Sequence, residues 1–181
     1  MSFEPEQPPS PQPHARDEFP ITERAKTNEI NYEAPDGTDV QGWYIVPPDF
    51  DKNKKYPLFM FLYGGPGSQQ VLNKYGSSNF YWYQMLAQKG YVVACVDNRG
   101  TGGKGSEFKK MTYKELGKYE TIDQIDAAKY FGNLEYIDKE RIGIQGWSYG
   151  GYMSSLAITK GAETFKLAIA CLLYTSDAAD E

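Results

Sequence analysis

Residues 146–151 read Gly-Trp-Ser-Tyr-Gly-Gly, a serine with glycine two positions away on either side. A serine hydroxyl is a poor nucleophile unless it is held where a base and a substrate can both reach it. A tight strand-to-helix turn does this, and its crowding excludes a Cβ at the flanking positions. The helix that begins after such a turn adds backbone N–H groups and a partial positive charge where an oxyanion would form. Ser148 is therefore the candidate nucleophile. The competing reading is a plain tight turn that packs Trp147.

A second segment, Tyr63-Gly64-Gly65-Pro66-Gly67, follows an apolar run. Its glycines would let the loop approach a substrate carbonyl, and the Tyr63 phenol is a competent donor to an oxyanion. Taken alone, it also reads as a glycine-rich strand exit with a packed tyrosine. A third segment, Asp97-Asn98-Arg99-Gly100-Thr101-Gly102-Gly103-Lys104-Gly105, lacks the spacing of a phosphate cradle, because Lys104 is not followed by Ser or Thr. It does not open directly into a helix as a dinucleotide fingerprint would. It is expected to be a structural loop held by ionic hydrogen bonds of Asp97 and Arg99, with substrate contact the alternative.

Metal chemistry has little to draw on. The chain has one histidine, His14, in a proline-rich stretch where a solvated role is expected, and no cysteine pair at ligand spacing. Asp123 and Asp126 share a helix face and read as a solvated pair. No metal and no cofactor is expected.

These segments need elements to position them. Asn31–Ala34 and Val40–Val46 flank the turn signal Pro35-Asp36-Gly37-Thr38 and predict an antiparallel hairpin. Leu58–Tyr63 and Tyr91–Val96 are continuous apolar runs, as in strands buried on both faces, and Cys95 is expected as a buried structural thiol. Phe80–Gln88 has a helical pattern that Gly90 terminates. Glu120–Phe131 is predicted as a helix with Ile122, Ile125, Ala128 and Tyr130/Phe131 on its inward stripe. Arg141–Gln145 reads as a short strand, Tyr149–Ile158 as a helix and Phe165–Ala170 as a strand. A hairpin followed by strand–helix alternation predicts an α/β fold: a mostly parallel sheet with an antiparallel hairpin at its N-terminal side and helices on both faces.

The whole chain is compatible with that class. It has 181 residues, 19 Lys and Arg against 24 Asp and Glu, and 15% aromatics. The acidic balance argues against a nucleic-acid or anionic-membrane binder, and the aromatic content against a disordered chain. Residues 1–22 hold six of the eleven prolines and read as a flexible lead-in with no signal-peptide opening. Residues 171–181, Cys-Leu-Leu-Tyr-Thr-Ser-Asp-Ala-Ala-Asp-Glu, look like an in-frame translation of the transposase adapter used for sequencing libraries. They are expected to be a non-native tail, leaving 23–170 as the N-terminal portion of one domain.

Four motifs in order, Tyr-Gly-Gly-Pro-Gly-Ser-Gln-Gln-Val (63–71), Val-Asp-Asn-Arg-Gly-Thr-Gly (96–102), Asp-Gln-Ile-Asp-Ala-Ala (123–128) and Gly-Trp-Ser-Tyr-Gly-Gly-Tyr (146–152), carry a resemblance. From Tyr32 to Ala170 the chain resembles the catalytic domain of the prolyl oligopeptidase family of serine peptidases, most of all the bacterial members of its dipeptidyl peptidase IV branch. The resemblance implies a truncated α/β-hydrolase fold that, in full-length relatives, is capped by a β-propeller. It implies Ser148 as nucleophile, with the Tyr63 hydroxyl and the Tyr149 N–H as oxyanion donors. The Tyr149 ring would wall the pocket for a P1 proline, with Trp147 beside the substrate. The family's Asp and His follow the nucleophile in chain order, beyond Glu181, so the chain alone is expected to be inactive. Peptide substrates, cleavage after a penultimate Pro or Ala, a periplasmic or cell-envelope location and a homodimeric parent are compatible with the resemblance. An acylaminoacyl peptidase, a prolyl endopeptidase, an esterase or a non-catalytic binding module remain open alternatives. The esterase is disfavoured because Tyr63 stands where such enzymes usually carry His.

Overall fold

The computed structural model describes residues 24–73 and 79–171. The lead-in, His14 and most of the C-terminal tail lie outside them. Six strands form one sheet in the order β1-β2-β4-β3-β5-β6. They are β1 (Thr27–Glu33), β2 (Asp39–Ile45), β3 (Tyr56–Leu62), β4 (Val92–Asp97), β5 (Ile137–Trp147) and β6 (Leu167–Cys171). Strand β2 pairs antiparallel with β1 and with β4, whereas the β3–β4, β3–β5 and β5–β6 pairs are parallel. This is the mostly parallel sheet with an antiparallel hairpin that the sequence predicts.

The hairpin closes on the expected turn. Gly37 takes φ +84°, and the Ala34 and Gly37 amides donate to Thr38 and Ala34 carbonyls at 2.8 Å. The side chain of Asp36 accepts from the Thr38 amide at 3.0 Å, the local bond that makes Asp favourable in turns.

Strands β3 and β4 lack polar alternation because both of their faces are covered. Leu58, Met60 and Leu62, with Val92, Ala94 and Val96, pack on helices α3 (Tyr119–Gly132) and α4 (Tyr149–Lys160) through Ala127, Ala128, Phe131, Met153 and Ala157. Phe59, Phe61, Val93 and Cys95 face the other way, onto Tyr83, Leu86 and Ala87 of helix α1 (Phe80–Gln88). Each buried large side chain contributes about 1.5–3 kcal/mol of transfer free energy. Cys95 is fully buried, and burial pushes its thiol pKa up.

Several expectations need correcting. Helix α2 (Gly105–Lys110) occurs in the loop after β4 and was not predicted; it is six residues long and buries none of them, so it leaves no apolar stripe to read. Strand β5 begins at Ile137, four residues earlier than predicted. The inward face of α3 matches the predicted stripe only in part: Ala128 and Phe131 are buried and Ile125 packs against the core, but Ile122 is exposed and Glu120, Thr121, Asp123, Gln124 and Ala127 are buried beside them. Asp123 is thus not part of a solvated pair. Strand β6 starts at Leu167, two residues later than predicted, and runs one residue past Ala170, through Cys171.

Candidate active site

Strand β5 ends at Trp147 and α4 begins at Tyr149, so Ser148 is the whole turn between them. It takes φ 57° and ψ −116°. Positive φ is uncommon for a residue with a Cβ, and such strain persists only where the surroundings enforce it. Here they do. A Cβ on Gly146 would lie 2.2 Å from the Gly150 carbonyl oxygen, and one on Gly150 would lie 2.4 Å from the Leu62 carbonyl oxygen. The Ser148 amide donates to the Cys171 carbonyl at 2.9 Å, and the Ser148 carbonyl accepts from Gly151 and Tyr152. Although Ser148 stands at the N-cap, its side chain makes no capping bond at the positive end of α4. Trp147 is 52% exposed, so the turn does not exist to bury it.

Tyr63 directly follows β3, the central strand beside β5. Its ring centroid is 6.2 Å from that of Tyr149. Gly65 makes room for both rings: a Cβ there would be 2.7 Å from Tyr63 Cε1 and 3.3 Å from Tyr149 Cδ1. The structure thus brings Ser148, Tyr149 and Tyr63 together at the C-terminal ends of adjacent parallel strands, where open α/β sheets hold ligands.

The loop after β4 braces the Tyr63 loop. Asn98 Nδ2 donates to the Gly64 carbonyl at 3.1 Å, and the Gly67 and Gly102 amides donate to Gly100 and Ser68 carbonyls at 2.9 and 2.8 Å. Asp97 accepts from the amides of Gln70 (2.9 Å) and Val71 (2.8 Å); burial pushes its carboxyl up, and those amides oppose the shift. The predicted structural loop is therefore present. Asp97 holds it through amides and Arg99 through carboxylates. Arg99 grips the buried Asp123 through Nε and Nη2 at 2.9 and 2.5 Å, and reaches Asp36 of the hairpin turn at 2.7 Å. Burial pushes the Asp123 carboxyl up, and the guanidinium opposes it.

The sequence reading missed Glu120. It is fully buried at the start of α3, and its Oε1 accepts from the Tyr149 hydroxyl at 2.7 Å. Burial pushes the Tyr149 phenol up, and the hydrogen bond and charge of Glu120 push it further. No local signal marked it, because its partner Tyr149 lies 29 residues further along the chain.

A separate cavity of about 790 Å³ opens between the hairpin, residues 69–73 and the start of α1, lined by Trp43, Gln70, Leu72 and Tyr83 among others. Ser148, Tyr63 and Tyr149 are not among its walls. Among the described residues, no group of three or more His, Cys, Asp or Glu is placed to hold a metal ion.

Comparison with known proteins identifies the family. The model of the prolyl oligopeptidase family matches residues 77–172. The chain is 49% identical over 135 residues to a Bos taurus protein named Prolyl endopeptidase FAP, covering 73% of this chain and 17% of that one. It is 50% identical over 131 residues to an Arthroderma benhamiae protein named Probable dipeptidyl-aminopeptidase B, covering 72% and 14%. Among solved structures, Porphyromonas gingivalis dipeptidyl peptidase 4 superposes with a TM-score of 0.78 at 45% identity, over 82% of this chain and 21% of that one. The chain belongs to the prolyl oligopeptidase family, and its sheet is of the α/β-hydrolase type. It spans about a sixth of the length of the curated relatives it matches.

Proposed function

We propose that the protein to which this chain belongs is a serine peptidase that releases dipeptides after a penultimate Pro or Ala, with Ser148 as nucleophile. Ser148 Oγ attacks the scissile carbonyl carbon as a base takes its proton. The oxyanion of the tetrahedral intermediate accepts hydrogen bonds from the Tyr63 hydroxyl and the Tyr149 N–H. Collapse expels the amine, which takes up the proton, and leaves an acyl ester on Ser148. Water then cleaves that ester with the same base and donors. The Tyr149 ring walls the pocket for the P1 proline, with Trp147 beside the substrate.

The observation that carries this reading is the strained Ser148 turn, its hydroxyl making no capping bond, at the end of the strand beside the one that Tyr63 follows. The base and its orienting carboxylate are proposed to come from residues of the whole protein outside this chain. The one histidine present, His14, precedes the nucleophile, whereas this architecture orders Ser, then Asp or Glu, then His. Names such as Prolyl endopeptidase FAP, at 48–49% identity, favour a second reading, cleavage inside chains after proline.

Mass analysis of products separates the two. The whole protein is incubated with a peptide carrying proline second from a free N-terminus, and with the same peptide N-acetylated. Dipeptide release from the free form only, abolished by Ser148→Ala, supports the exopeptidase. Cleavage of both supports the endopeptidase, and activity that survives Ser148→Ala overturns both.

A further inference from the structure

Glu120 and Tyr149 begin two different helices, α3 and α4, and meet through one hydrogen bond beside the Ser148 turn. Several features make the contact unusual for packing alone. A fully buried carboxylate is costly unless both of its oxygens are satisfied, and Glu120 Oε2 has no partner among the described residues. The first turn of α3 offsets part of that cost by its positive end. A glutamine would give the same hydrogen bond without the charge. What the carboxylate adds is a charge-assisted bond, stronger and shorter than a neutral one.

Tyr149 is a demanding residue to place. Its ring must lie flat enough to leave room for Gly65 and Tyr63 on one side, and it packs edge-on against Tyr152, 5.7 Å away, on another. Its own backbone N–H, in the first turn of α4, has no intrahelical acceptor and stands next to Ser148. Ring and N–H share one Cα, so a bond that fixes the ring's far end also limits how the first turn of α4 can tilt.

We infer that Glu120 is a positioning residue for the proposed acyl transfer: by holding the Tyr149 hydroxyl, it sets the direction of the N–H beside Ser148. This rests on the reading of Ser148 as a peptidase nucleophile. Glu120 itself touches neither Ser148 nor the oxyanion. Its effect therefore falls on the transition state more than on substrate binding, since the N–H bond to the oxyanion strengthens only as charge develops.

The test uses the whole protein and a Gly-Pro chromogenic substrate, with kcat expressed per site titrated by a fluorophosphonate, so that misfolded molecules do not count. Glu120→Leu and Tyr149→Phe are each expected to lower kcat about tenfold with KM changed less than about threefold, as expected for a misaligned rather than missing group. The double variant is expected to be no slower than the slower single, because both remove one bond. Glu120→Gln, which still accepts from the phenol, is expected to retain kcat within about threefold. An unchanged kcat in Tyr149→Phe, multiplicative losses in the double variant, or a loss confined to KM would each overturn the inference. If Glu120→Leu yields no soluble protein, Tyr149→Phe and Glu120→Gln decide it. Activity that survives Ser148→Ala would instead overturn the peptidase reading, so the two failures are distinguishable.

Discussion

The carbonyl oxygen of Gly150 lies 2.2 Å from where a Cβ on Gly146 would stand, closer than any real side chain tolerates. The obstacle is backbone on both sides, so no rotamer change relieves it. Gly146→Ala is expected to displace the Ser148 turn, at a cost of about 2 kcal/mol or more by the measure of overpacked cores. In the whole protein, fluorophosphonate labelling should fall at least tenfold while far-ultraviolet circular dichroism shows the sheet retained. Normal labelling would show that the glycine is not required.

Tyr63→Phe keeps the ring that meets Tyr149 but removes the hydroxyl. If that hydroxyl donates to the oxyanion, kcat should fall by about 10²–10³ with KM nearly constant. A rise in KM at constant kcat would assign Tyr63 to substrate binding instead.

Arg99 joins three separate stretches of chain: the loop after β4, helix α3 and the hairpin turn. Its partners are unequal, since the Asp123 side chain is fully buried and that of Asp36 is 44% exposed. Asp123→Ala strands a buried guanidinium and is expected to cost about 3 kcal/mol. Asp36→Ala should cost less than about 1 kcal/mol. Denaturant midpoints of the two variants check this, and equal shifts would contradict it.

Alkaline pH should act through buried and half-buried phenols. Burial pushes Tyr136 up to about 12, and Tyr32 and Tyr83 are also raised, each mainly by burial. An unfolded tyrosine titrates near about 10. The protonated folded form is therefore favoured in full below that value, and its contribution to stability is lost as pH rises from about 10 through about 12. The tyrosinate absorbance of Tyr136, taken as wild type minus Tyr136→Phe, should rise at or above pH 12 together with loss of circular dichroism. A rise near about pH 10 with the fold intact would contradict the burial of this ring.

The parts of the fold legible in sequence are those set by local chemistry. The Pro35–Thr38 turn, the apolar runs of β3 and β4, and the glycines around Ser148 each obey a short-range rule, and the structure places them accordingly. Reading α3 by its apolar residues found Ala128 and Phe131 but missed that half of its inward face is built from Glu120, Asp123 and Gln124. Their partners, Tyr149, Arg99 and Asn98, lie 24 to 29 residues away in sequence, so nothing local marks these polar groups as buried. The Ser148 turn was legible, but the carboxylate behind its neighbour was not.

The most direct test is covalent. The whole protein is treated with a fluorophosphonate, and the modified peptide is sequenced by mass spectrometry. The account predicts one adduct per active site, on Ser148, absent in Ser148→Ala of unchanged fold. Labelling of a different serine, or no labelling of well-folded protein, would contradict it and favour a binding module that kept the turn without the chemistry.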